Sequence, residues 1–163
     1  MTDRILVIGV GNDLRGDDAA GRAVADEIDR LAIPGVGVRS LPQLVPELAL
    51  DIGTADRVVF VDADIDATDV TERAVSAGGR VSNTHHGDPA ALLRLAALDG
   101  SPPPTATIVS IPASSFGLGE PLSPATAGAV GRAIELVRSV VEGTSAHEEP
   151  LDVVAEQEGR FGA

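Results

Sequence analysis

Asp17 and Asp18 form a doubled acid at the end of Gly9-Val-Gly11-Asn12-Asp13-Leu14-Arg15-Gly16-Asp17-Asp18. A carboxylate can bind a cation or accept a proton, and two in a row exceed what a helix start needs, because one cap uses one residue. Asp62 closes the apolar run Val58-Val59-Phe60-Val61, which carries a third carboxylate to the end of a buried strand. His85 and His86 stand in the polar stretch Ser82-Asn83-Thr84-His85-His86-Gly87-Asp88-Pro89. Imidazole is the commonest side-chain metal ligand. Two acids and a histidine at one sheet edge would make a mixed oxygen and nitrogen site for zinc, nickel or a similar divalent ion, with a coordination position left open. Plainer roles compete: Asp17 and Asp18 as helix caps, and Asp62 as the start of a solvated acidic loop with Asp64 and Asp66.

Other chemistries are disfavoured. The Gly9-Val-Gly11 segment fails the dinucleotide fingerprint at Leu14, where the third glycine belongs. Its acids also stand where a pyrophosphate would sit. The chain has no cysteine, lysine or tyrosine, so a thiolate, a Schiff base, a disulfide or an iron–sulfur cluster is out of reach. No Gly-x-Ser-x-Gly elbow occurs. Ser82, Ser110, Ser114 and Ser115 supply hydroxyls, but no local pattern arranges a triad around them.

These candidates must be positioned by a framework, and the apolar pattern supplies one. Residues 4 to 10 form a near-continuous apolar run suited to a central parallel strand. Ala20, Val24, Ile28 and Leu31 then recur at helical spacing, with Asp17 and Asp18 as capping candidates. The alternation predicts a strand over 36–40, a helix over 46–53, a strand over 57–62 and an extra edge strand over 73–77. It continues with a helix over 89–97 capped by Asp88, a strand over 105–111 and a long helix opened by Ser123-Pro124. Alternating strands and helices predict an α/β fold: a three-layer αβα sandwich around a mostly parallel, twisted sheet of about five strands.

The 163 residues fit one domain, placed at residues 1–143. Residues 144–163 carry Glu148, Glu149, Asp152, Glu156 and Glu158 against Arg160 alone, and are expected to be a disordered acidic tail. A net charge of −13 repels phosphate backbones and anionic membranes, so neither nucleic acid nor a membrane is an expected partner. With no signal peptide and no apolar stretch long enough to span a bilayer, a cytoplasmic protein is expected. A monomer is the expected state.

Gly9-Val-Gly11-Asn12-x-Leu14-x-x-Asp17-Asp18-x-x-Gly21 resembles the opening motif of the hydrogenase maturation endopeptidases. The resemblance continues through Val-Val-Phe-Val-Asp62, Thr84-His85 before Leu92-Leu93, and Gly117-Leu118-Gly119 before Leu122-Ser123-Pro124, covering about residues 4 to 141. It implies an endopeptidase that removes the C-terminal extension of a nickel-iron hydrogenase large-subunit precursor after nickel insertion. It also implies that Asp18, Asp62 and His85 bind a metal, with His86 the rival for the third place. The metal would be the nickel of the substrate, for which zinc or another divalent ion could substitute. A metal-bound water, with Asp17 or Asp18 taking a proton, is one route to cleavage, and Asp62 completes the catalytic carboxylates.

Two departures matter. Ser40-Leu41-Pro42-Gln43-Leu44-Val45-Pro46-Glu47 replaces the family's Asp-Gly-Gly-Thr stretch and resembles the Gln-Leu-x-Pro-Glu variant of proteases serving soluble, cofactor-reducing hydrogenases. Ser110-Ile111-Pro112-Ala113 stands where the family has Gly-Ile-Glu-Pro. Competing readings are a zinc hydrolase of another substrate and a non-catalytic metal- or nucleotide-binding module.

Overall fold

The computed structural model describes residues 3–79 and 86–143. The tail expected from residue 144 onward, and the 80–85 stretch with His85, lie outside the described residues. Among the described residues five strands form one sheet: β1 (Ile5–Val10), β2 (Val36–Leu41), β3 (Arg57–Asp64), β4 (Thr71–Val75) and β5 (Thr105–Pro112). Four helices accompany them: α1 (Ala20–Arg30), α2 (Leu48–Thr54), α3 (Pro89–Ala96) and α4 (Pro124–Val141).

The spatial order is β2-β1-β3-β5-β4, with β4 the antiparallel strand at one edge. From β1 the chain first winds outward to β2, then crosses back to β3 and β5 on the other side. The winding direction therefore reverses between β1 and β3. A crevice opens there at the carboxyl ends of the strands, which is where open α/β sheets place ligands.

The period-two alternation of each strand divides the core. Ile5, Val7, Val59, Val61, Val109 and Ile111 pack beneath α1 and α4. Leu6, Ile8, Val58, Phe60, Ala106 and Ile108 pack beneath α2 and α3. β1 is buried at all six positions, as a central strand covered on both faces must be. The three-layer sandwich expected from the sequence is the observed architecture.

The differences from expectation are local. α2 starts at Leu48 because Pro46 sits in the preceding turn, where its carbonyl accepts from the Ala49 amide. β4 begins two residues earlier than the pattern suggested, since its register is fixed by antiparallel pairing with β5 and not by its own mostly exposed side chains. Asp17 and Asp18 do not cap α1. A 3-10 turn, Gly16–Ala19, runs directly into the helix, whose N-cap position is Ala19 with no side-chain hydrogen bond. Asp88 caps α3 as expected, accepting from the Ala90 amide at 2.9 Å.

Candidate functional site

Three elements bring the chemistry together. β3 is two residues longer than predicted, and Asp62 follows Val58 and Phe60 on the face covered by α2 and α3. His86 lies just ahead of α3 on that same face, and its carbonyl accepts from the Leu44 amide at 2.7 Å. Asp18 comes from the 3-10 turn after β1. That turn lies close against the sheet because Gly21 has no side chain: a Cβ there would collide with the carbonyl oxygens of Val10 and Val61. Gly11 makes the other necessary approach, with φ at +154° and the Asp18 carbonyl where a Cβ would be.

His86 bridges the two carboxylates. Its Nδ1 lies 3.0 Å from Asp62 Oδ1 and its Nε2 lies 3.1 Å from Asp18 Oδ2. Asp18 Oδ2 also accepts from the Asn12 amide at 3.0 Å, and Asn12 Oδ1 accepts from the Leu14 amide at 2.9 Å, which fixes the loop between β1 and the acid. All three side chains are largely buried, Asp62 most deeply at 4% exposed. The hydrogen bond to Asp62 raises the His86 imidazole against its partial burial. The charges of Asp62 and Asp18 and the bond to Asp18 add to that, and its pKa reaches about 9. Burial pushes the Asp62 carboxyl up as well, outweighing the hydrogen bond and charge of His86 that pull it down. A protonated imidazole can donate from both ring nitrogens, one to each carboxylate.

The donor set, two carboxylates and an imidazole, has the chemistry of a site for a divalent transition metal. In the arrangement seen here, however, each His86 nitrogen is spent on a carboxylate, and among the described residues no three such groups surround a common point. For the three to share an ion, His86 must lose its proton and release at least one of its two hydrogen bonds.

Asp18 and His86 open onto a cleft of about 530 Å³, also lined by Asn12, Arg15, Pro42, Gln43, Ala63, Ile65 and Phe116. That volume is in the range of small-molecule and peptide sites. Asp17 is not in the cleft wall and has no exposed surface. Its carboxylate accepts from the amides of Ser114, Ser115 and Ser123 and from the Ser123 hydroxyl, at 2.6 to 3.0 Å. Burial raises its pKa, but the four donors overcome this and hold it at about 2.

Of the sequence candidates, the structure therefore gathers Asp18, Asp62 and His86, while His85 lies outside the described residues. Arg15, Gln43 and Phe116 in the cleft wall were not singled out from the sequence. Gln43 carried a signal, the Gln-Leu-x-Pro-Glu stretch, whereas Arg15 and Phe116 are single residues in loops, for which spacing gives no rule.

The sequence matches no protein-family model, and no curated protein matches it. Solved structures do match. The hydrogenase maturating endopeptidase HybD from E. coli superposes with a TM-score of 0.69 at 20% identity, covering 87% of this chain and 94% of its own. The [NiFe] hydrogenase maturation protease HycI from Thermococcus kodakarensis has a TM-score of 0.66 at 24% identity, covering 87% and 92%. The hydrogenase 2 maturation peptidase from the Thaumarchaeota archaeon SCGC_AB-539-E09 has a TM-score of 0.63 at 25% identity, covering 87% and 99%. The chain has the fold of these maturation peptidases over most of its length.

Proposed function

We propose that this chain is an endopeptidase that removes the C-terminal extension of a nickel-iron hydrogenase large-subunit precursor after nickel insertion, reading the nickel through Asp18, Asp62 and His86. The observation that carries the reading is the convergence of these three side chains at the switch point of a sheet whose fold is shared with hydrogenase maturation peptidases. Nickel is part of the substrate here. Carboxylate oxygens and a neutral imidazole suit it, and a cleft about 530 Å³ in size leaves room for the peptide that brings it.

Asp17 belongs to the scaffold in this scheme. Both of its oxygens are committed to donors of the chain, and it lies outside the cleft, so it has neither the access nor the basicity of a proton acceptor. Asp18 is the carboxylate that reaches both the cleft and His86. Asp62 accepts at His86 Nδ1 before the substrate arrives, which orients the ring, and it turns its oxygen to the nickel once that hydrogen bond is released.

The test is to incubate the protein with nickel-loaded and nickel-free precursor and to measure the mass of the products. Only the nickel-loaded precursor should lose its extension, and pretreating the protein with a chelator should change nothing. Asp18→Asn, Asp62→Asn and His86→Ala should each lower processing by ~100-fold, with near-normal circular dichroism. His85→Ala should stay within about threefold of the wild type, since the geometry places His86 between the two acids. Full processing by the Asp18, Asp62 and His86 variants would sink the reading, and full processing of nickel-free precursor would sink its metal-reading part.

A further inference from the structure

The chain contains 25 acidic residues and 12 arginines, so an arginine without an acidic partner is not short of candidates. Most described arginines have one. Arg4 pairs with Asp56, Arg22 with Asp13, Arg39 with Asp51 and Arg132 with Asp69. Among the described residues, Arg15 and Arg73 are the arginines whose side chains make no hydrogen bond or ion pair with the chain. Arg73 lies on the edge strand β4, whereas Arg15 lines the cleft beside Asp18 and His86.

The position of Arg15 is fixed although its side chain is free. Its carbonyl accepts from the Asp18 amide at 3.0 Å and its amide donates to the Asn12 carbonyl at 3.1 Å, so it sits in the same turn as the acid. Asn12, Asp18, Gln43 and His86 join Arg15 on the polar side of the cleft, and the rest of its wall is apolar. Ile65 and Phe116 line the cleft with it, and Ile65 is 60% exposed. Leu14 and Leu118, exposed by 65% and 77%, stand on the two flanking loops, which are joined by the Gly119 amide donating to the Leu14 carbonyl at 2.8 Å. Large apolar side chains held open around a single guanidinium suit a peptide that buries apolar groups and presents one carboxylate to a bidentate donor.

We propose that Arg15 binds a carboxylate of the peptide occupying the cleft, selecting precursors with an acid-bearing apolar segment beside the scissile bond. The inference rests on the peptidase reading above. The carboxylate comes either from an acidic side chain near the cut or from the terminus of the extension, and both offer the same two oxygens to the guanidinium.

Steady-state processing of nickel-loaded precursor by the wild type, Arg15→Gln and Arg15→Lys tests it. Arg15→Gln should raise KM about tenfold, with kcat within about twofold and an unchanged melting temperature, because the lost contact is a charge-assisted hydrogen bond to substrate alone. Arg15→Lys should recover part of the loss, since it keeps the charge but not the fork. Two altered precursors identify the source of the carboxylate. In one, acidic side chains near the cut are changed to amides; in the other, the terminal carboxylate is amidated. One of them should raise the wild-type KM about tenfold and leave that of Arg15→Gln unchanged. Equal KM values for wild type and Arg15→Gln would overturn the proposal, as would a wild type indifferent to both altered precursors. A wild type that leaves unaltered nickel-loaded precursor whole would instead overturn the peptidase reading, and this inference with it.

Discussion

At the scale of the residue, the doubled acid resolves into two unlike roles. Asp18 keeps an oxygen for His86 at the cleft, while Asp17 is sealed among four donors drawn from the β5–α4 connection and the start of α4. The pair exceeds what capping needs, yet neither acid caps α1, and which of them faces the cleft was not legible because the donors to Asp17 are about a hundred positions away. Spacing likewise does not discriminate between the adjacent histidines; His86 meets Asp18 and Asp62, and His85 lies outside the described residues. Asp17 yields a pH prediction with a definite sign. Its folded pKa, about 2, lies below the ordinary 3.8, so its contribution to stability is present in full above about pH 3.8 and is lost as pH falls toward 2. The shift corresponds to about 2 kcal/mol. Urea unfolding of Asp17→Asn should show a loss of about that size at pH 7, shrinking as both proteins are taken toward pH 2. A loss of equal size at both pH values would mean that packing, not charge, is what Asp17 contributes.

At the scale of the element, strands and helices were legible where an apolar period or a start signal marks them, and less so for the mostly exposed β4. Asp88-Pro89 and Ser123-Pro124 both proved to be caps, with Asp88 accepting from Ala90 and Ser123 from Thr126. The connections were less legible, since their geometry depends on partners elsewhere in the chain. The 3-10 turn before α1 is the example that bears on function. Its place is set by the absence of atoms at Gly21, where α1 meets the carbonyl ends of β1 and β3. Gly21→Ala raises helix propensity by about 1 kcal/mol, which taken alone predicts a stabler protein. Both obstacles to the new Cβ are backbone carbonyls, which cannot rotate aside as a flexible side chain can, so overpacking wins. The variant should lose about 1–3 kcal/mol in urea unfolding. It should also process precursor more slowly than the stability loss explains, because α1 moves away from the sheet and draws Asp18 from His86. A variant as stable and as active as the wild type would show that the close approach is not what sets the site.

At the scale of the whole molecule, the sandwich is complete at the end of α4. Val137, Val140 and Val141 are buried in the core, and Arg57 from the start of β3 donates to the Val140 carbonyl at 2.9 Å. Every strand and helix of the described fold is then in place, and among the described residues Phe116 is the last in sequence to line the cleft. Residues 144–163 carry five acids against one arginine within the chain's net charge of −13, and the rest of the chain is also net negative, so their electrostatic effect on the body is repulsive. A chain ending at Gly143 should therefore keep its unfolding free energy in urea within the error of measurement, about 0.5 kcal/mol or less. It should also process nickel-loaded precursor within about twofold of the full chain, since Asp18, Asp62, His86 and Arg15 all come from segments that precede the tail. A larger fall in stability would assign the tail a place in the fold. A raised KM at unchanged stability would instead make it part of the grip on the precursor, and the two outcomes separate cleanly because unfolding is measured without substrate.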